Sequence, residues 1–296
     1  MLRNPHTAAL AAMLCASLIW GTTFAVVHEA LDAIPVFHLL AFRFLLGALA
    51  LGPWLLRGLR DRALWAHGLR LGAVLFLAFA LQTGGLAETT PSRAAFLTAL
   101  SVILVPFFAR LWLGQSLRPV ALAGSALAAA GLWVLYRPGL AAAGGFGRGD
   151  LLSLGCAVVF ALHVLVVDRA ARAGPPRPLA ALQFAVVALL AAPSLLVEPP
   201  RATEVTGGPL VAVLVTGLLA TALAFTLQLH AQRTLAAAEV AVLLALEPVF
   251  AALFSVAVGA ERWSAATAVG GLLIVAGTVV VQLRPHRRSV APPPAH

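Results

Sequence analysis

Eight side chains that can hydrogen-bond, carry charge or stack on a ligand stand inside runs that are otherwise almost wholly apolar: Trp20, Thr23, Arg43, Gln82, His163, Gln183, Gln228 and Glu247. An ionised group at the centre of a membrane helix costs about 2.5–3.5 kcal/mol on insertion scales, so it needs a partner or a wet cavity. Arg43 keeps its charge and offers five N–H donors in a planar fork. Two readings follow for it: an anchor for a carboxylate or other acceptor on a substrate, or a bonding post for helix-end carbonyls or for Glu247. Glu247 stands just before Pro248. Proline cannot donate to the carbonyl one turn back, so a kink is expected there. A carboxyl group at that kink can titrate and couple a proton to movement, or it can simply stabilise the bent helix.

The remaining polar residues carry the same double reading. Gln82 and Gln228 each donate and accept, which suits an amide or carboxylate ligand and equally suits contact between helices. His163 can touch a ligand or relay a proton, but a single histidine also serves as a packing residue. Trp20, Thr22, Thr23 and Phe24 cluster along one short stretch, where the indole can stack on a planar substrate or fill space between helices. Gln183 contributes polarity without charge. Glu239, eight residues before Glu247, is expected near a helix end and in contact with solvent.

The elements that must position these residues are set by composition. Of 296 residues, 61% are hydrophobic and 10% are charged, with a mean hydropathy of +0.97. Soluble domains run near half apolar and a quarter charged. The chain therefore reads as a polytopic membrane protein embedded in a lipid bilayer, with no room for a sizeable soluble domain. Apolar runs between charges, Gly and Pro predict ten spans: 8–27, 35–56, 67–87, 93–113, 117–136, 150–168, 178–197, 209–230, 236–259 and 264–283. The fold class expected is an all-α membrane protein. Residues 284–296, with three consecutive prolines from Pro292, are expected to form a disordered tail.

All twenty basic residues are arginines, and the formal net charge is +9. They sit singly or in small groups between apolar runs, which is the pattern of membrane-flanking loops and not of a nucleic-acid surface. With ten spans, fourteen arginines fall on the side of the termini and five on the other, with Arg43 inside the second span. That bias places both termini in the cytoplasm. Cys15 and Cys156 both lie in apolar runs and read as packing residues.

The chain also resembles itself. A shift of 140 aligns Phe42-Arg43-Phe44 with Leu182-Gln183-Phe184 and Pro53 with Pro193. After a six-residue insertion around Glu198 to Gly208, a shift of 146 pairs Phe79 with Phe225, Gln82 with Gln228, Gly124 with Gly270 and Gly131 with Gly277. Five spans per copy is an odd number, so the second copy must insert upside down. An inverted repeat of five plus five is a transporter signature, because mirrored halves can exchange inward and outward shapes around a midplane site. The units are 8–137 and 150–283.

At Ser17-Leu18-Ile19-Trp20-Gly21-Thr22-Thr23-Phe24 the chain resembles the EamA family of drug/metabolite transporters. Ala41-Phe42-Arg43-Phe44, Leu246-Glu247-Pro248 and Gly259-Ala260-Glu261-Arg262-Trp263 are similar to that family in order and spacing. Gln115 departs from it, standing where an acidic residue often ends the fourth helix. The resemblance implies a bacterial inner-membrane carrier in which spans one to four and six to nine surround the pathway while five and ten brace the outside. The expected activity is export of a small metabolite such as an amino acid by alternating access, driven by a substrate or proton gradient.

The nearest alternative is a carrier of the same fold for a nucleotide, sugar derivative or lipid; an intramembrane enzyme or an assembly factor is a further one. A polyanionic cargo would want more than one deep cation, and Arg43 is alone. The sequence holds no HExxH, no GxSxG, no P-loop with Lys and no Cys/His cluster of metal spacing, so no catalytic residue, cofactor or metal ligand is nominated. The partners expected are a small-molecule substrate, the bilayer and protons.

Overall fold

The computed structural model describes residues 4–89, 91–142, 145–200, 204, 206–257, 259 and 262–283, so the expected tail at 284–296 lies outside the described residues. Every regular element among the described residues is helical. In chain order they are α1 (Pro5–Ala30), α2 (Val36–Ala50), α3 (Gly52–Arg60), α4 (Arg62–Glu88), α5 (Pro91–Ala99), α6 (Ser101–Leu113), α7 (Pro119–Ala142) and α8 (Arg148–Ala173). There follow α9 (Pro176–Ala191), α10 (Pro193–Val197) and α11 (Gly207–Val215). A π-helical stretch, Thr216–Leu223, leads into α12 (Ala224–Ala231), α13 (Ala237–Leu244), α14 (Glu247–Ala257) and α15 (Ala265–Leu283). Among the described residues nine stretches are long and apolar enough to cross a membrane, and the bent pair α2–α3 makes ten.

Polar residues at the boundaries start these helices. Asn4 accepts from His6 N at 3.0 Å ahead of α1, and Asp61 accepts from Ala63 N at 3.0 Å ahead of α4. Asp150 accepts from Gly147 N at 2.8 Å at the start of α8. Each carboxylate or amide oxygen satisfies a donor that the first turn would otherwise leave open. Glu239 does the same for α13, accepting from Ala236 N at 2.8 Å. It is buried, not solvated as its place near a helix end suggested, because this cap needs its carboxylate folded back onto the chain.

The second span departs from the expected run over 35–56. Its helix stops at Leu51, and α3 leaves at 84° to α2. Pro53 lacks the N–H that would continue the α2 ladder to Leu49 O, and it suits the first turn of a new helix instead. The repeat mate Pro193 likewise interrupts span seven, between α9 and α10.

Helix contacts come in exchanged pairs. The first span, α1, packs on α12 and α14 of spans eight and nine, while the sixth, α8, packs on α4 and α6 of spans three and four. Spans five and ten pair with each other as α7 and α15. A Cβ built at Gly131 would lie 2.6 Å from Gly270 O, and one at Gly270 would lie 2.8 Å from Gly131 O. Gly124 and Gly277 oppose each other in the same reciprocal way, at 2.8 and 2.6 Å. Residue 124 faces 277 and 131 faces 270, so the two helices run antiparallel, as inverted copies must. In lipid there is little hydrophobic gain from helix pairing, and backbone approach at glycine maximises van der Waals contact instead.

Candidate functional site

Two spans break at matching places. Span nine stops at Ala245–Leu246 and restarts at Glu247. Pro248 lacks the N–H that would bond Leu244 O, and the chain tightens there into a Leu246 N to Leu243 O bond of 3.1 Å. Span four is interrupted between Ala99 and Ser101, with Leu100 N bonded to Leu97 O at 3.3 Å. The shift of 146 carries Ser101 onto Glu247. Carbonyls flanking the break in span nine are held by neighbours: Ser17 Oγ donates to Leu243 O at 3.1 Å and Thr278 Oγ1 to Val242 O at 3.3 Å. Half-helix N-termini therefore meet the interior from both repeats, and their positive dipole ends favour anionic groups.

Both breaks open onto one internal cavity of about 160 Å³, on the order of a space that accepts a benzene ring. Trp20, Thr23, Arg43, Gln82, His163, Gln228 and Glu247 all line it, together with Ser101. Seven of the eight side chains singled out by sequence are thus brought to one wall system. The eighth, Gln183, is fully buried behind that wall, with Oε1 3.4 Å from His163 Nε2. Among the described residues span seven contributes none to the lining, whereas Tyr136 at the end of span five does line it. The resemblance had span seven on the pathway and span five outside it.

Arg43 is 3% exposed. Its Nε donates to Thr221 Oγ1 at 3.1 Å, and its guanidinium carbon stands 4.7 Å from the Phe79 ring centre and 5.2 Å from that of Phe44. Cation–π contact helps to hold a cation at such a site. Among the described residues it forms no ion pair, neither with Glu247 nor with another carboxylate, and its other four N–H donors are unused. A desolvated, unpaired guanidinium is costly to keep, and an incoming acceptor would relieve that cost. Glu247 accepts no hydrogen bond among the described residues either.

Trp20 is fixed by its rim. Nε1 donates to Ala220 O at 2.8 Å, within the π-helical stretch, and the indole meets the Phe225 ring edge-on at 4.9 Å. Thr23 Oγ1 donates to Ile19 O at 2.8 Å in its own helix, leaving only acceptor capacity toward the cavity. Thr22 bonds Leu18 O at 2.9 Å in the same manner. The side chain of Phe24 lies outside the described residues. His163 packs edge-on to Phe225 at 5.9 Å. Gln228 Oε1 and Gln183 Nε2 are buried without a partner among the described residues.

Sequence reasoning missed the aromatic walls. Phe79, Phe160 and Phe225 line the cavity and meet edge-on, Phe79 with Phe160 at 5.6 Å and with Phe225 at 6.0 Å. The signal was present: Phe79 and Phe225 are repeat mates three residues before Gln82 and Gln228, hence on the same helix faces. The π-helical stretch left no such signal, because a uniformly apolar run has no period to read. Such stretches concentrate at functional sites, and here both Trp20 and Arg43 bond to this one.

Two inverted five-span units enclosing a central polar and aromatic cavity define a multi-span membrane transporter. The chain belongs to the EamA-like transporter family, matching it twice, over residues 7–137 and 147–283. It is 33% identical over 268 residues to an uncharacterized transporter of Archaeoglobus fulgidus, covering 90% of this chain and 83% of the relative. It is 30% identical over 285 residues to the aromatic amino acid exporter YddG of Ancylobacter novellus, covering 92% and 96%. A solved crystal structure, described only as that of a protein, superposes with a TM-score of 0.78 at 27% identity, over 94% of this chain and 97% of that one.

Proposed function

We propose that this transporter exports amino acids with large apolar or aromatic side chains across the inner membrane, by alternating access around the central cavity. The observation that carries the reading is the pairing of one unpaired guanidinium, Arg43, with aromatic walls in a space of about 160 Å³. Arg43 takes the substrate carboxylate bidentately. Glu247 lies beside the substrate's ammonium end and takes up a proton from one aqueous side and releases it to the other during the cycle, while Gln82, Gln228 and His163 supply hydrogen bonds around the backbone end. Trp20, Phe79, Phe160 and Phe225 enclose the side chain, where aromatic pairs contribute about 0.5–1.5 kcal/mol beyond area burial. Thr23 offers an acceptor at the rim, and Gln183 steadies His163 from behind. The relative named as an aromatic amino acid exporter supports this choice of side chain. With Arg43 as the single guanidinium among the described lining residues, a nucleotide or other polyanion would leave charge unmatched.

Both termini lie in the cytoplasm on this reading, and fusion reporters at either end test that directly. The substrate is tested by counterflow in liposomes with a labelled panel of aromatic, small neutral and acidic amino acids and a nucleotide. Exchange of the aromatic members ahead of the small neutral ones is expected. Exchange of the nucleotide with none of the amino acids would overturn the reading.

A further inference from the structure

The molecule has a second, chemically distinct recess whose lining residues are not those of the transport cavity. It is a groove of about 450 Å³ at the end of the bundle where α3 turns off α2. Trp54, Arg57, Asp61, Arg177, Leu227 and His230 line it. We propose that this groove binds the phosphate of an anionic phospholipid of the adjoining leaflet.

Four features of the groove support that ligand. First, α3 leaves α2 at 84°, the angle of a helix that would lie along a bilayer which α2 crosses, with Leu56 and Leu59 exposed. Trp65, also exposed, donates Nε1 to Leu59 O at 3.1 Å and extends the same apolar face. A short helix with exposed Leu and Trp beside arginines is built for the headgroup boundary. Second, the groove's two guanidiniums have no carboxylate within ion-pair distance among the described residues. By contrast, Arg93, Arg148 and Arg172 each pair with one. Third, the guanidinium carbon of Arg177 stands over the Trp54 ring, 4.9 Å from its centre. This cation–π contact holds the guanidinium at the groove without using its N–H donors, which remain for a phosphate that arginine can bind bidentately. Fourth, Arg177 is the second residue of the sixteen-residue α9, so the positive end of that helix dipole adds to the same spot.

The one carboxylate among the described residues of the groove, Asp61, already uses Oδ1 to cap α4. Two arginines against this one carboxylate leave the balance of the described lining positive. Leu227 and the exposed leucines of α3 offer the acyl chains a surface continuous with the bilayer. Basic pockets between membrane helices at the arginine-rich face are the sites that headgroup phosphates occupy. The proposal needs only that the protein sits in a bilayer and does not depend on what it transports.

The test uses the full chain purified in detergent, with native mass spectrometry reading bound phosphatidylglycerol, phosphatidylcholine or inorganic phosphate at equal concentration. The expected result is retention of phosphatidylglycerol, with phosphatidylcholine and inorganic phosphate bound at least about tenfold more weakly. The double variant Arg57→Gln, Arg177→Gln should lose about tenfold or more in phosphatidylglycerol affinity, while Arg262→Gln should lose none. If the double variant gives no folded protein, the two single variants are read in the same way, and the wild-type comparison among the three ligands stands alone. Equal binding of phosphatidylcholine, or variants that bind like wild type, would overturn the proposal. Displacement of the lipid by inorganic phosphate at equal concentration would make this a free-anion site and overturn it as well.

Discussion

The two halves share one backbone plan but differ in charge. Span two presents Arg43 to the cavity, while its repeat mate in span seven, Gln183, is withdrawn behind His163. The relation reverses at the broken spans, where the first half offers Ser101 and the second offers Glu247. Inversion thus supplies two geometrically equivalent walls, and substitution at matched positions gives one wall the cation and the other the carboxyl. Polarity along the cavity comes from side chains placed on a symmetric frame. That suits a substrate whose own ends differ in charge.

The largest effect expected from breaking this asymmetry is at Arg43. Losing charge-assisted hydrogen bonds of about 1.5–3 kcal/mol removes roughly tenfold to a hundredfold of substrate affinity. Arg43→Gln should therefore nearly abolish exchange while leaving the thermal unfolding temperature unchanged or raised, since an unpaired buried cation is removed. A falling unfolding temperature would show Arg43 to be a structural post instead.

Next in size is the seam between the halves. A side chain at Gly131 meets Gly270 O at 2.6 Å, and overpacking of this kind costs about 1–3 kcal/mol. Gly131→Leu should lower the unfolding temperature in detergent, yet folded molecules should still exchange substrate. Loss of exchange at normal stability would make α7 and α15 part of the moving pathway. Glu247→Gln should weaken exchange, since the ammonium loses its carboxylate, and the exchange that remains should no longer depend on a pH gradient, measured as counterflow with and without that gradient; a retained dependence would clear Glu247 of coupling. Trp20→Phe keeps an aromatic ring but drops the bond to Ala220 O, worth about 1 kcal/mol, so affinity should fall roughly fivefold. Gln183→Leu should change exchange least, because its Nε2 is already buried without a partner among the described residues.

Much of this arrangement was readable from residue types. Apolar runs delimited ten spans, since a bilayer leaves a helix few alternatives. The repeat shifts correctly paired Pro53 with Pro193, and a helix break now stands at each. Polar residues in hydrocarbon converged on the cavity because that is where their desolvation cost is least. What stayed hidden had physical reasons. The bend at Leu51 lies in a continuous apolar stretch, so hydropathy alone ran the second span on to residue 56. The aromatic walls blend into the apolar background, and only the repeat singles out Phe79 and Phe225. Glu239 looked like a solvent-facing carboxylate, but its use as a cap depends on backbone geometry that no composition reveals.

The central claim is that Arg43 binds a substrate carboxylate. It is tested most directly by comparing counterflow of an aromatic amino acid with that of its decarboxylated amine, in wild-type and Arg43→Gln liposomes. Wild type should exchange the amino acid at least about tenfold faster than the amine. The variant, verified as folded, should treat the two alike at a low rate. Variant protein that still prefers the amino acid at the wild-type rate would contradict the assignment.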